Sequence, residues 1–363
     1  MKKLFQKIFS RKVTPYSLPE YDPETHYLQL GKSKYFKDLI ILRHHIKMAS
    51  DYYWSNIQKA YNIDLFMTTP SVSSPMGPGS DSEAIEIKFG NLHTFLVDSS
   101  QFGFEPILMN EFEKVYCYLP SMRGENPDKR HLNQFFHCEA EIKGTLNDLK
   151  PQIEGYMKYL AKSLLKQKEI LSHISYNYEV TIQKLESILH SKSFEEIEFD
   201  QAVDLLLKNG FSELVNQTAH GRDISNKGEL ELMKLLKIKT PIWLNNFDRD
   251  SVAFYQKPHK NNSDKVINSD LLFPPIIDTS FGGEVVGAGQ RQDTVEELCE
   301  SLKRQGINHE PYIWYINLRN QEKYSTTSGF GIGIERFISW VLNRDDIKDA
   351  IIYPRLKNVL TRP

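Results

Sequence analysis

Cysteine is scarce in this chain: Cys117, Cys138 and Cys299 are the three in 363 residues, and no two stand at C-x-x-C spacing. That excludes a disulfide framework and a finger-type zinc site, and makes the reducing cytoplasm the expected location. No segment approaches the ~20 consecutive apolar residues of a membrane span. A surplus of positive charge is missing too. Lys and Arg number 45 against 47 Asp and Glu, a formal net charge of −2, whereas proteins that grip a nucleic-acid backbone usually carry a basic excess or stripe. The one basic stripe is residues 1–13, where Lys2, Lys3, Lys7, Arg11 and Lys12 flank Leu4, Phe5, Ile8 and Phe9. Gln6 and Lys7 interrupt its apolar part, so it is no secretory signal. It reads either as a solvated extension or as a short basic amphipathic helix that touches a membrane surface, an RNA or a partner protein. No internal repeat or low-complexity tract is visible.

What is present is ordinary globular material, 40% hydrophobic and 25% charged, enough for one large domain or two modest ones. Leu42, Ile46, Ala49, Tyr53, Ile57 and Ala60 form one apolar stripe of a long helix, followed by Leu65 to Thr69 as a short strand stopped at Pro70. From about 85 to 145 β-formers alternate, with turns at Gly90-Asn91 and Gly124 to Pro127, which predicts antiparallel strands. Residues 147–215 turn helical and rich in Lys and Glu. Strands are predicted again at Ile242 to Leu244, Val252 to Tyr255, Glu284 to Val286 and Tyr312 to Leu318. Between the last two a helix begins after Asp293, capped by Asp293 and Glu296 and ended by Gly306. Strands mixed with flanking helices imply an α+β fold on a mostly antiparallel sheet.

Chemistry concentrates in two stretches. Gly329-Phe330-Gly331-Ile332-Gly333-Ile334-Glu335-Arg336 runs from an extended segment into a helix marked by Ile334, Phe337, Ile338 and Val341, with Pro354-Arg355 beyond. Glycines admit a close backbone approach to a flat ligand, and Arg336 in the first helical turn can stack on a nucleobase for roughly 0.5–2 kcal/mol. No strand–GxGxxG–helix order accompanies them, so this is not a Rossmann fingerprint, and alone it reads first as a Gly-rich turn into a packed helix. The other stretch is Met122-Arg123-Gly124-Glu125, then Arg130-His131-Leu132-Asn133-Gln134-Phe135-Phe136-His137-Cys138-Glu139-Ala140-Glu141.

Together these resemble the second and third motifs of the class II aminoacyl-tRNA synthetases, and the helix and strand ending at Pro70 resemble the first. Ser99-Ser100-Gln101 and Gly283-Glu284-Val285-Val286-Gly287-Ala288-Gly289-Gln290-Arg291 add a similarity to the asparaginyl/aspartyl branch. The resemblance covers residues 33–363, leaving 1–32 as a basic N-terminal extension. It implies an antiparallel sheet flanked by helices, with residues 147–215 as a helical insertion and the first motif as a homodimer interface. It also implies an AMP-forming ligase that uses ATP and Mg2+ to make an aminoacyl-adenylate. ATP contacts are then expected from Arg123, Glu125, Arg130, His131, Leu132, Phe135, Glu284, Gly331, Gly333 and Arg336. Arg123 would hold the α-phosphate, Phe135 and Arg336 would sandwich adenine, and Arg123, Arg336 and Glu284 form the catalytic set. Glu284 with Asp278 would hold magnesium, and Gln101, Glu139 and Arg291 would face the amino acid. His131, His137 and Cys138 lack a fourth partner at finger-like spacing and are set aside as metal ligands. Arg319 is expected to pair with a neighbouring acid.

The chain departs from that branch in instructive places. Only residues 1–32 precede the matched part, where the branch carries an anticodon-binding β-barrel. Phe104 stands where the aspartyl type has lysine, followed by Glu105 as in the asparaginyl type. Thr326-Thr327-Ser328 replaces a Pro-His, and Gln134 replaces a glutamate at the adenine amino group, where an amide oxygen still accepts a hydrogen bond. The expectation placed first is therefore activation of an aspartate- or asparagine-like acid with transfer to a non-tRNA acceptor such as ammonia or an amine. Second stands a reduced asparaginyl-type aminoacyl-tRNA ligase. Third stands a non-catalytic regulator binding ATP or an amino acid.

Overall fold

The computed structural model describes residues 14–72, 83–275 and 280–363. The basic stretch 1–13 and Asp278 lie outside them. The molecule is organised by one sheet of eight strands: β1 Tyr61–Asn62, β2 Lys114–Met122, β3 Gln134–Lys143, β4 Glu195–Glu198, β5 Ile242–Asn245, β6 Asn268–Phe273, β7 Gly283–Gln290 and β8 Thr327–Gly333. Their spatial order is β1-β2-β3-β8-β7-β6-β5-β4. Each edge strand joins its neighbour in parallel, and the inner pairings are all antiparallel.

The alternation of side chains along β3 explains how one sheet serves both core and site. Cys138, Ala140 and Ile142 point into the main apolar cluster. Phe135, His137, Glu139 and Glu141 occupy the other face. The apolar face is covered by helix α1 (Lys34–Asp51) and helix α2 (Leu146–Leu164). Ser33 caps α1 by accepting from the Phe36 N–H, and Leu39, Leu42, Ile46 and Ala49 are its buried stripe. Thr145 and Asp148 form a capping box at α2, which buries Ile153, Tyr156, Met157 and Leu160. Truncating Ile153, fully buried in this layer, to alanine is expected to cost about 2–5 kcal/mol, read as a lowered denaturant midpoint.

Within the stretch predicted helical, α2 is followed by helices Lys168–Ile174 and Tyr178–His190, but then by β4 before helix Phe199–Lys208. Glu195-Glu196-Ile197-Glu198 has one apolar residue. It pairs as a sheet-edge strand beside β5, so no alternation betrays it. Helix α3 (Asn226–Leu235) follows. Two predicted strands are absent. Residues 252–255 are irregular and Tyr312 to Leu318 contains a short helix, Ile313–Asn317. Their aromatic content favours strands, yet Tyr312, Tyr315 and Ile316 are buried at helical spacing while Ile313 and Trp314 are exposed. Strand β6 escaped prediction because its first half is polar. Helix α4 (Val295–Gln305) begins one residue later than expected: Thr294 caps it, accepting from the Glu297 N–H, and Gly306 ends it in the left-handed region at φ +67°. Helix α5 (Ile334–Leu342) leaves β8 directly.

Candidate active site

The polar face of the sheet is centred on β8, which lies between β3 and β7. Gly331 pairs with Glu139 on one side and Gly287 on the other, and Gly329 with Glu141 and Gly289. The glycines make room first for the protein's own carboxylates. A Cβ at Gly329 would stand 1.8 Å from Glu141 Oε2, and one at Gly331 would stand 3.2 Å from Glu139 Oε1.

At the β8–α5 corner Arg336 is half-buried. Its Nη1 donates to Glu284 Oε2 at 2.7 Å, and its Nη2 lies 3.3 Å from His131 Nε2. Arg130 stacks on Phe281, 4.3 Å from the ring centroid, and donates to the Gly282 carbonyl. Arg123 lies over Phe135 at 5.3 Å. Its Nε is buried without a hydrogen-bond partner. Asn133 fixes the Arg123 main chain from both sides, donating to its carbonyl at 2.8 Å and accepting from its N–H through its own carbonyl at 3.0 Å. The Asn133 N–H in turn donates to Arg355 at 3.1 Å, which joins the Pro354-Arg355 segment to this motif. Of the remaining predicted contacts, Leu132 is a core residue, clustered with Ile347 and Ile351 under Phe135. Glu125 accepts from the Glu83 N–H at 3.4 Å, and His131 is held by Asp128 at 2.9 Å.

Charge is tightly grouped here. Burial pushes the Glu284 carboxyl up, but Arg336, Arg130 and Arg123 together hold it below the usual range. Burial and the neighbouring Arg336 lower Arg130 to about 10, still cationic at neutral pH. Two further acids were not singled out by the sequence. Burial, then the like charges of Glu284 and Glu229, push Asp270 well above an ordinary carboxylate. Burial raises Glu229 to about 7, with Glu284 adding to it and Arg130 opposing.

Asp270 is a second carboxylate beside Glu284, whereas Asp278, the partner expected from the sequence, lies outside the described residues. A Cβ at Gly287 would lie 3.5 Å from Asp270 Oδ1 and 3.6 Å from Glu284 Oε1, so these carboxylates converge over a glycine. Among the described residues no group of three or more His, Cys, Asp or Glu is arranged to hold an ion. Hard oxygen donors in so small a number fit magnesium, which takes one or two carboxylates and completes its shell with water and substrate phosphates. A lone acid beside the apolar run Leu271-Leu272-Phe273 was the available signal for Asp270.

The predicted amino acid contacts gather further along β3. Glu139 accepts from Ser99 Oγ and from the Ser100 N–H, both at 2.7 Å, and burial raises its pKa. Gln101 donates to the Tyr255 hydroxyl, and Arg291 lies over that ring at 5.4 Å. Tyr255, read from the sequence as a strand residue, thus links the two. Arg291 is itself gripped by Glu141, Nε to Oε1 at 2.9 Å and Nη2 to Oε2 at 2.8 Å, with both side chains buried. Arg319 pairs with Glu105 at 2.8 Å, the neighbouring acid the sequence called for. His137 sits between the halves, its Nδ1 2.8 Å from Ser121 Oγ and its ring edge-on to Phe135. Burial, then Arg123 and Arg336, depress it to about 3, so the imidazole is neutral. Cys138 points to the opposite face of β3, away from both histidines' site.

An antiparallel sheet with a cluster of arginines at one end and a glycine strand entering the Arg336 helix has the architecture of a class II synthetase catalytic domain. The chain belongs to the family described as tRNA synthetases class II (D, K and N), whose model matches residues 19–357. It is 30% identical to the asparagine–tRNA ligase of Mycoplasma pneumoniae over 301 residues, 78% of this chain and 64% of that protein. It is 32% identical to the Shewanella oneidensis asparagine–tRNA ligase over 273 residues, 74% of this chain and 56% of that one. A probable cytoplasmic asparagine–tRNA ligase of Encephalitozoon cuniculi is 27% identical over 86% of this chain and 65% of its own. The chain thus spans under two thirds of these relatives' length. Among solved structures, asparaginyl-tRNA synthetase from Pyrococcus horikoshii with asparaginyl-adenylate superposes with a TM-score of 0.82 at 24% identity, covering 95% of this chain and 74% of that one. Aspartyl-tRNA synthetase from Entamoeba histolytica gives 0.72 at 17% identity, covering 99% and 67%. Among the described residues no helix is long and apolar enough to cross a membrane.

Proposed function

We propose that this chain activates asparagine with ATP and Mg2+ to form asparaginyl-adenylate, and that the acyl acceptor is tRNA. The expectation that placed ammonia or another amine first gives way, because the relatives are named asparagine–tRNA ligases. The observation that carries the amino acid assignment is the Glu141–Arg291 pair. Arg291 alone would favour a carboxylate, but with its fork bonded to Glu141 this end of the pocket is close to neutral. A neutral pocket suits an amide, which can accept from a guanidinium and donate to a carboxylate.

In adenylate formation the asparagine carboxylate attacks the α-phosphorus and pyrophosphate leaves. The protein's work is placement and charge neutralisation. Arg123 supplies the cation at the α-phosphate, Phe135 and Arg336 the walls for adenine, and Arg130 and His131 the remaining basic groups at the phosphate end. Asp270 and Glu284 would hold magnesium, which supplies charge neutralisation to the phosphates when bound. Glu139, fixed by Ser99 and Ser100, offers a carboxylate to the substrate ammonium. A homodimer through the first-motif region fits the outer side of α1 and the segment after it, where Ile40, Met48, Tyr52, Tyr61 and Met67 are exposed.

Exchange of labelled pyrophosphate into ATP tests the reading directly. Exchange is expected with asparagine, far less with aspartate, and none after magnesium is chelated. Charging of total tRNA with asparagine supports the proposed acceptor; exchange without charging, alongside amide synthesis from ammonia, would return the acceptor to a small amine.

A further inference from the structure

Residues 199–238 pack against one side of the large sheet, where Phe199, Val203 and Leu206 meet Leu232, Met233 and the sheet residues Ile242, Leu244 and Leu272. At one end this unit is tied by charge: Arg222 bonds Asp248 at 2.8 Å, and Lys265 bonds the same carboxylate at 2.6 Å. At the other end, in the first turn of α3, it reaches the phosphate end of the site. Glu229 Oε2 accepts the main-chain N–H of Glu284 at 3.1 Å and Asn226 Nδ2 at 3.1 Å. Asn226 also donates to the Gly282 carbonyl at 3.2 Å, the oxygen that receives Arg130. Gly283 is threaded through this clamp at φ +93°, and a Cβ there would stand 2.3 Å from both Glu229 Oε2 and Asn226 Nδ2.

We propose that Glu229 is a positioning residue for the ATP and magnesium end of the site: carried by a unit outside the sheet, it fixes the Gly282 to Glu284 main chain and faces Arg130, so that Glu284 and Arg336 keep their places. A neutral acceptor would have served to dock a helix. A half-buried carboxylate close to Glu284 is costly unless a cation uses it, and Arg130 is the cation at hand. Residues one step behind a metal ligand commonly change affinity or activity 10–100-fold when lost. The inference deepens the proposed activity and rests on it for the identity of the nucleotide.

The test compares Glu229→Ala, Glu229→Gln and the control Glu231→Gln, whose partner Lys234 lies on the same helix. In pyrophosphate exchange, Glu229→Ala is expected to raise the KM for ATP and the magnesium requirement about 10- to 100-fold, with the KM for asparagine held within about twofold. Glu229→Gln keeps an acceptor but loses the charge and should fall between, while Glu231→Gln should match wild type. A KM for ATP within about twofold of wild type in both Glu229 variants overturns the proposal, as does an equal rise in both KM values. Calorimetric binding of MgATP is measured beside these. If Glu229→Ala does not fold, Glu229→Gln and its MgATP affinity decide. A wild type that binds MgATP but exchanges nothing with asparagine sinks the proposed function, while a weaker Kd in the Glu229 variants would still uphold the positioning role.

Discussion

Arg123→Ala is expected to lower asparagine-dependent pyrophosphate exchange about 100- to 1,000-fold in kcat, a loss of roughly 2.7–4 kcal/mol of transition-state stabilisation. Among the described residues the Arg123 side chain makes no hydrogen bond or ion pair, and its Nε is buried without a partner. What holds it is the main chain, pinned by Asn133, and the face of Phe135. An arginine so placed, with its fork not engaged by protein, is preorganised for a ligand. Removing it should therefore leave the thermal midpoint within about a degree or two of wild type, since no hydrogen bond or ion pair is broken. Arg123→Lys keeps the charge but not the planar fork and should recover only part of the rate. Exchange as fast as wild type in Arg123→Ala would remove Arg123 from the reacting centre.

How much of this was legible beforehand depended on whether a residue's neighbours in sequence are also its neighbours in space. The grouping of Arg123, Phe135, Glu284 and Arg336 was, because Arg123 follows β2, Phe135 lies on the adjacent antiparallel β3, and Glu284 and Arg336 open or follow the next two strands. The Arg319–Glu105 pair was legible only in kind: an acid partner was expected for Arg319, but Glu105 is distant in sequence and only the fold brings it there. Asp270 and Glu229 were hidden. Each is a lone acid in a segment with its own bland explanation, and only the register of β6 on β7 and the docking of α3 bring them to Glu284. The strand β4 was illegible because an edge strand need bury almost nothing. The region 312–318 misled because its aromatic content argues for strand, while the burial of Tyr312, Tyr315 and Ile316 at helical spacing shows only in the fold. Among the glycines of β8, Gly329 yields space to the Glu141–Arg291 pair, a side-chain pairing that the sequence did not disclose.

That pair carries the second large expectation. Glu141 is fully buried, its carboxyl raised to about 6 by desolvation that Arg291 opposes. Glu141→Gln keeps the shape of the side chain but leaves Arg291 without its counter-charge. The expected cost is about 3–5 kcal/mol of stability, since the penalty for an uncompensated buried charge exceeds the net worth of the pair itself. Specificity should move with it. Freed from Glu141, the Arg291 fork can receive a carboxylate bidentately, so aspartate gains and asparagine, which needs an acceptor for its amide N–H, loses. A change of about 10- to 100-fold in the ratio of kcat/KM for asparagine over aspartate is expected, the size of a few kcal/mol of unpaired polar contact. Stability and specificity are separable here, because the denaturation midpoint reads the first and the ratio of two exchange rates on the same folded sample reads the second. A destabilised variant with an unchanged ratio would confine Glu141–Arg291 to holding β3 against β8 and β7. A shifted ratio would mean that this buried pair is also how the pocket tells an amide from an acid.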